Sequence, residues 1–320
     1  MWILTGILLV VSFLVSLFIS KKYSFKFNET VKEILCIYLA VILLKYGFDK
    51  VFKAQFYLPE PNILYSRFGN LDKDILFWST MGTSRVYSVL TGISEIFAAI
   101  LLFFRKTKVP GLLVSAGIFL NIIFINLGFD ISVKLFSSVL FLMTLFVLKD
   151  DISRIYSFLI LKKPEQLNGF SFFHQPKIRP FFVFSKTAVL GLALAGILLP
   201  YFHSGNFNDD NAERPFLHGV FKVSDSSGIQ YVFFHKNQYL ILMDKNERTK
   251  DFHYNLNIPE RKIILEDYSG KKKEAGFSYS KKDSILQLDF DGQKLTAKEQ
   301  NWKKMNALKP LFHFSVESAE

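Results

Sequence analysis

The sequence predicts a multi-domain α + β protein, a transmembrane α-helical bundle followed by an antiparallel β meander or barrel-like domain. Three observations predict it. Half of the 320 residues are hydrophobic, and the longest apolar runs, six of them, all fall within the first 202 positions. Basic residues collect in the short connections between those runs. Beyond position 203 the hydrophobic period becomes two, the period of a half-buried strand.

A bilayer core takes about 20 apolar residues in helical form. The first run is Trp2–Ser20, and its lysines (Lys21, Lys22, Lys26) follow it. A cleaved signal peptide would place them before it, so a retained helix is the reading taken over cleavage. The remaining five predicted spans are Val31–Phe52, Val86–Phe104, Val109–Phe129, Val133–Leu148 and Thr187–Phe202.

Charge orients these spans. Segments 21–32, 105–108 and 149–186 carry four, three and seven Lys+Arg, while 53–85 and 130–132 carry four and none. The positive-inside rule then puts the N-terminus outside, and an even number of spans puts residues 203–320 outside too. The expected location is a cytoplasmic membrane, crossed several times, with the lipid bilayer as first partner. Of the net charge of +11, the first 202 residues carry +10 and the tail +1. This excess lies between apolar runs, not on a folded polar face, which argues against nucleic-acid binding.

The expected divisions are 1–30 (first helix and cytoplasmic turn), 31–150 (a four-helix membrane core), 151–202 (cytoplasmic loop and last helix) and 203–320 (β-rich domain). Within the loop, Phe170–Phe184 mixes aromatics with basic residues, which suits either a membrane interface or a loop packed on helix ends. The tail opens on a polar linker, His203–Glu213. Strands follow at 217–223, 229–235, 238–243, 251–257, 262–266, 276–280, 284–290, 293–299 and 312–316, with hairpin signals at Ser269-Gly270 and Asp291-Gly292. A closed meander could hold a small ligand or be filled by its own side chains. Low net charge and the polar linker lead us to expect a tail that folds by itself and offers 203–320 to a protein partner.

Chemistry-bearing residues cluster in the predicted membrane half. Ionisable groups inside a bilayer are costly and normally find partners. Glu95 sits at the middle of its span, on a stripe with Arg85, Ser88, Thr91, Gly92 and Ala99. Lys45, Asp49 and Lys50 lie on the preceding span, Asn121 and Asn126 on the following one, and Asp130 and Lys134 form an i,i+4 pair. All nine candidates (Lys45, Asp49, Lys50, Arg85, Glu95, Asn121, Asn126, Asp130 and Lys134) fall at the midplane or in the outer half, and the inner halves look almost wholly aliphatic and aromatic. They line either an outward-open polar pocket or a set of packing ion pairs, with Glu95 and Lys45 as the expected partners. The sole cysteine, Cys36, reads as a small buried apolar residue. Five of six histidines lie in the tail, without the spacing of a zinc site. No metal, haem, flavin or nucleotide motif is present, and no catalytic residue can be named.

The stretches LLKYGFDKVF (43–52), GTSRVYSVLTGISEIFAAILLFFRKT (82–107) and NLGFDISVKLFSSVLFLMTLFVL (126–148) resemble the DoxX-like membrane proteins. The likeness covers roughly residues 35–150. It implies a four-helix membrane core, with Lys45-Tyr46-Gly47 and Lys50 ending its first helix and Gly92-Ile93-Ser94-Glu95 in its second. It also implies a membrane partner or subunit of a redox or quinone-linked system, so quinone is the cofactor to test. The extra helices, the long outer loop 53–83 and the β-domain depart from that pattern. A membrane scaffold or assembly factor and a transporter-like protein are the other expectations.

Overall fold

The computed structural model describes residues 21–164, 179–224, 228–290 and 292–309. The first expected span, most of the aromatic loop stretch and the strand at 312–316 lie outside these residues. The chain divides into two compact units. One comprises 1–52 and 89–207, the other 53–88 and 208–320.

The first unit is helical. Its long helices are α1 (Lys21–Val51), α4 (Arg85–Phe103, shared at its start with the second unit), α5 (Lys108–Gly128), α6 (Lys134–Leu159) and α7 (Arg179–Ser204). Each covers an expected span, but three helical stretches among the described residues are long and apolar enough to cross a membrane: Arg85–Phe103, Arg105–Gly128 and Val183–Asn211. The expected count of six spans is not supported among the described residues, and the first of the six lies outside them. The reason is charge: Lys32, Glu33, Lys45, Asp49 and Lys50 crowd α1, and Lys149, Asp150, Asp151 and Arg154 occupy the last third of α6. The bundle core is Leu39, Leu43, Ala98, Ala99, Leu102, Leu112, Phe119, Leu140 and Val147, with Cys36 buried among them. The outer surfaces stay apolar, as at Leu90, Phe97, Phe124, Leu142 and Leu192.

α1 and α4 meet at glycines. A β-carbon on Gly92 would stand 2.5 Å from the carbonyl oxygen of Gly47, and one on Gly47 would stand 2.9 Å from that of Gly92. Only two residues without side chains allow this approach, the small-residue contact that the stripe around Gly92 predicts.

The second unit is a closed barrel of eight antiparallel strands: β1 (Gly219–Val223), β2 (Ile229–Phe234), β3 (Tyr239–Asp244), β4 (Thr249–Asn257), β5 (Lys262–Glu266), β6 (Lys272–Ser280), β7 (Ile285–Phe290) and β8 (Gln293–Glu299). Each strand pairs with the next, and β8 returns to β1 with Phe221 opposite Glu299. The inward residues are the alternating apolar ones, including Phe234, Phe252, Tyr254, Leu265, Phe277, Leu286 and Leu288. The void left among Leu240, Leu265 and Leu288 is about 10 Å³, so the barrel is filled by its own side chains.

The barrel's outer wall is covered where β1–β3 carry Val220, Phe233, Ile241 and Met243. Trp302, Leu58, Leu64 and Tyr65 pack on it. This is why β2 and β3 read as apolar on both faces. Segment 53–83, expected as a loop, contains helices α2 (Pro61–Leu64) and α3 (Lys73–Thr83). The tail therefore does not make up its compact unit alone. The expected linker 203–213 is also corrected: α7 runs on to Ser204, Asp210 accepts the backbone N–H of Leu58 (3.1 Å), and Asp209 pairs with Arg214 (2.9 Å) and Lys236 (3.0 Å).

Candidate functional site

The nine sequence candidates do not gather into one pocket. Lys50 Nζ lies 2.8 Å from both carboxylate oxygens of Glu95, with both side chains buried. Lys45 instead donates to Asp49 (2.5 Å) from a half-exposed position, and Asp49 also accepts from the Tyr201 hydroxyl. The expected Glu95–Lys45 pair is thus corrected to Glu95–Lys50. Lys50 Cβ is 3.0 Å from the Cβ position of Gly92, so its side chain starts at the helix contact. A helical side chain leans toward its helix N-terminus, which carries Lys50 to Glu95 one turn along α4. Five residues separate Lys45 from Lys50, so Lys45 faces elsewhere.

Three of the remaining candidates make local bonds. Asn126 Nδ2 donates to Ser137 Oγ (2.9 Å) between α5 and α6, and Lys134 pairs with Asp130 across the exposed turn. Arg85 and Asn121 sit at exposed helix positions.

The bundle's opposite end holds a charged cluster that the sequence reading passed over. Glu33 accepts from Lys108 and from Lys186 (2.9 Å), and Lys186 also donates to the Phe103 carbonyl (2.9 Å). Lys32 pairs with Asp150. Lys32, Glu33, Lys108 and Asp151 are all buried. Counted as connection charges that set topology, these lysines gave no sign of meeting acidic partners distant in sequence.

The pocket with unmet chemistry lies in the second unit, built from segment 53–88 and the barrel. It is a cavity of about 450 Å³. Gln55, Tyr57, Pro59 and Glu60 form one wall, Asn62 and Ile63 come from α2, Ile75, Trp78 and Ser79 from α3, and His235 from the end of β2. Local geometry holds this wall in place. Pro61 begins α2, where a missing N–H costs nothing. A β-carbon on Gly82 would fall 2.2 Å from the Tyr57 carbonyl oxygen, so glycine alone lets α3 press against the 53–59 stretch. Lys53, fully buried, donates to the Gly82 carbonyl (2.5 Å) and lies 3.5 Å from Asp210.

Glu60 is the buried charge at this pocket. It accepts from His218 Nε2 (2.8 Å) and from the backbone N–H of Lys236 (3.3 Å). Burial alone would raise its pKa, but the His218 hydrogen bond, the fields of His235 and His218, and the Lys236 N–H outweigh it and hold the carboxyl below its usual range. Burial pushes the His235 imidazole below its usual value despite the pull of Glu60. Gln55 Oε1 and Asn62 Oδ1 are buried in the pocket wall without a hydrogen-bond partner. Buried polar groups are nearly always paired, so two orphans on residues of one cavity wall leave bonding capacity there that a small side-chain rotation would offer to a ligand or water. Lys236 Nζ stands 3.5 Å from the Tyr57 ring centroid, a cation–π contact beside the cavity.

Sequence reasoning missed this site. Its residues lie in a segment without periodicity, and His235 is 156 positions beyond Ser79 and 180 beyond Gln55. The one available signal was the aromatic and amide content of 55–78. Among the described residues, no group of three His, Cys, Asp or Glu side chains could hold a metal.

No family model matches the chain, and no solved structure matches it. It is similar to the uncharacterized protein YwoB of Bacillus subtilis (strain 168), 34% identical over 115 residues, which is 36% of this chain and 73% of YwoB. On that identity and coverage, the chain belongs to the same family as YwoB.

Proposed function

We propose that this chain is a multi-pass protein of a bacterial cytoplasmic membrane whose β-barrel unit, on the outer side, binds a small molecule. The observation that carries the reading is the 450 Å³ cavity with the buried, unpartnered oxygens of Gln55 and Asn62 in its wall. Its volume falls in the range of small-molecule sites, and its mix of aromatic walls with a few polar groups is their usual composition. The filled barrel interior directs the ligand to this pocket instead. The outward placement follows from the connection charges when all six expected runs cross the membrane.

Native mass spectrometry of the full chain, released from its membrane in mild detergent, tests this. A bound small molecule that is lost in the double variant Gln55→Leu/Asn62→Leu is the expected result. A ligand-free wild type that binds nothing from a metabolite extract would overturn it. Alkaline phosphatase and fluorescent-protein fusions after residue 309 test sidedness, with phosphatase activity expected.

The DoxX-like motifs support a second reading, in which the bundle is a membrane partner or subunit of a redox or quinone-linked system. The Lys50–Glu95 pair falls within the residues that carry that resemblance. Quinone extracted with the purified protein would favour it. A co-purifying protein without cofactor would favour a scaffold or assembly factor, and solute uptake dependent on Glu95 a transporter-like role.

A further inference from the structure

We propose that the pocket bounded by Trp78, Glu60, Gln55 and Asn62 takes a small organic cation, a protonated amine with N–H donors on an apolar body. The inference rests on the reading of this cavity as a binding site.

Three features select that chemistry. The first is charge. Glu60 is 4% exposed, and its partners are an imidazole nitrogen and a backbone N–H. The lysines nearby are engaged elsewhere: Lys236 Nζ with Asp209 at 3.0 Å, Lys53 Nζ with the Gly82 carbonyl at 2.5 Å. A carboxylate or phosphate ligand would enter beside a buried anion, at a cost that grows in a low-dielectric cavity.

The second feature is hydrogen bonding. The orphaned atoms, Gln55 Oε1 and Asn62 Oδ1, are both acceptors. A ligand that only accepts, such as a quinone, leaves both unpaired. An ammonium group brings three donors, enough in number for the two carboxamide oxygens and the carboxylate. The third feature is the wall. Aromatic faces attract cations, most strongly that of tryptophan, and Trp78 lines the cavity. The 3.5 Å approach of Lys236 Nζ to the Tyr57 ring shows an ammonium already held against an aromatic ring at this rim.

Phenethylamine and 1,4-diaminobutane are the amine probes, and 2-phenylethanol and phenylacetate are the neutral and anionic controls. Binding to the full chain in detergent is read by isothermal titration calorimetry and by tryptophan fluorescence. We expect at least one amine to bind at least tenfold more tightly than either control, and Glu60→Gln to weaken it tenfold or more. Glu60→Gln also alters the bond to His218, so Trp78→Leu and Asn62→Leu are measured beside it, each with a melting curve. Both are expected to weaken amine binding while the protein still melts cooperatively. Binding of 2-phenylethanol or phenylacetate as tight as that of the amines would overturn the cation while leaving the pocket as a binding site. If no probe binds, or if binding is indifferent to all three variants, the cation assignment fails, and a wild type that also purifies free of ligand takes the pocket reading down with it.

Discussion

The helical bundle pairs its buried charges internally, whereas the barrel unit pairs some buried polar groups and leaves others open. In the bundle, Glu95 has Lys50, Glu33 has Lys108 and Lys186, and Asn126 has Ser137. The barrel unit leaves Gln55 Oε1 and Asn62 Oδ1 unpaired on an open cavity, and the Tyr254 hydroxyl unpaired in the barrel core. Polar residues were conspicuous in the bundle sequence because its background is apolar, yet their bonding is spent on packing. Those of segment 53–88 were inconspicuous, yet some of their bonding capacity remains unused. Unmet bonding, more than the mere presence of charge, points to a site.

The largest effect that would break this comparison is at the bundle pair. Removing one partner of a buried ion pair strands a charge at a cost of about 3–5 kcal/mol. Lys50→Met and Glu95→Gln are each expected to lower the melting temperature sharply, with the Lys50→Met/Glu95→Gln double variant less damaged than the sum of the two. Lys45→Met, at a half-exposed pair, should cost about 0–1 kcal/mol. If Lys45→Met proves as damaging as Lys50→Met, the assignment of Glu95 to Lys50 is wrong.

A smaller effect follows from acid. The His235 imidazole is depressed by burial, so below its ordinary value of 6.5 the unfolded chain takes up a proton before the folded one. Stability is lost from there down to its folded value. The Glu60 carboxyl is held below its ordinary 4.5, so its contribution is intact above that pH and is lost as pH falls through the folded value. The charged groups acting on His235 are Glu60, Lys236, His218 and Arg214. Thermal unfolding followed by Trp78 and Trp302 fluorescence should show a decline beginning near pH 6.5, and His235→Gln should remove that first step. A midpoint flat from pH 7 to 5 in the wild type would count against a His235 imidazole depressed by burial.

The smallest effect sharpens the contrast inside the barrel unit. Tyr254 carries a buried hydroxyl without a partner, and burial raises its pKa to about 12. Tyr254→Phe removes an unsatisfied group and should be neutral or stabilising by about 1 kcal/mol, measured as an upward shift in melting temperature. A loss of 1 kcal/mol would mean that a water or a neighbouring group satisfies the hydroxyl.

Much of the fold was legible in the residues alone. Strand periodicity located β1–β8 to within a few positions, because alternate residues face a core and the side-chain period of a strand is two. Five helices sit at the expected runs because apolar continuity is local information. The span count was not legible, since charges at the ends of α1 and α6 are paired with partners far along the chain. The folding of 53–83 onto β1–β3 was also hidden: its cue is that β2 and β3 are apolar on both faces, which signals a cover without naming it.

The sequence by itself therefore determined the two-part α + β plan, the antiparallel meander and the residues able to carry charge in the apolar half. Only the tertiary structure decided which charges meet, that the barrel closes and is full, and that the pocket is built by a segment inserted between two helices. The physical reason is the range of the information. Periodicity and propensity act over a few residues, whereas the Glu60–His218 bond joins positions 158 apart and the glycine contact of α1 with α4 depends on two backbones approaching in space.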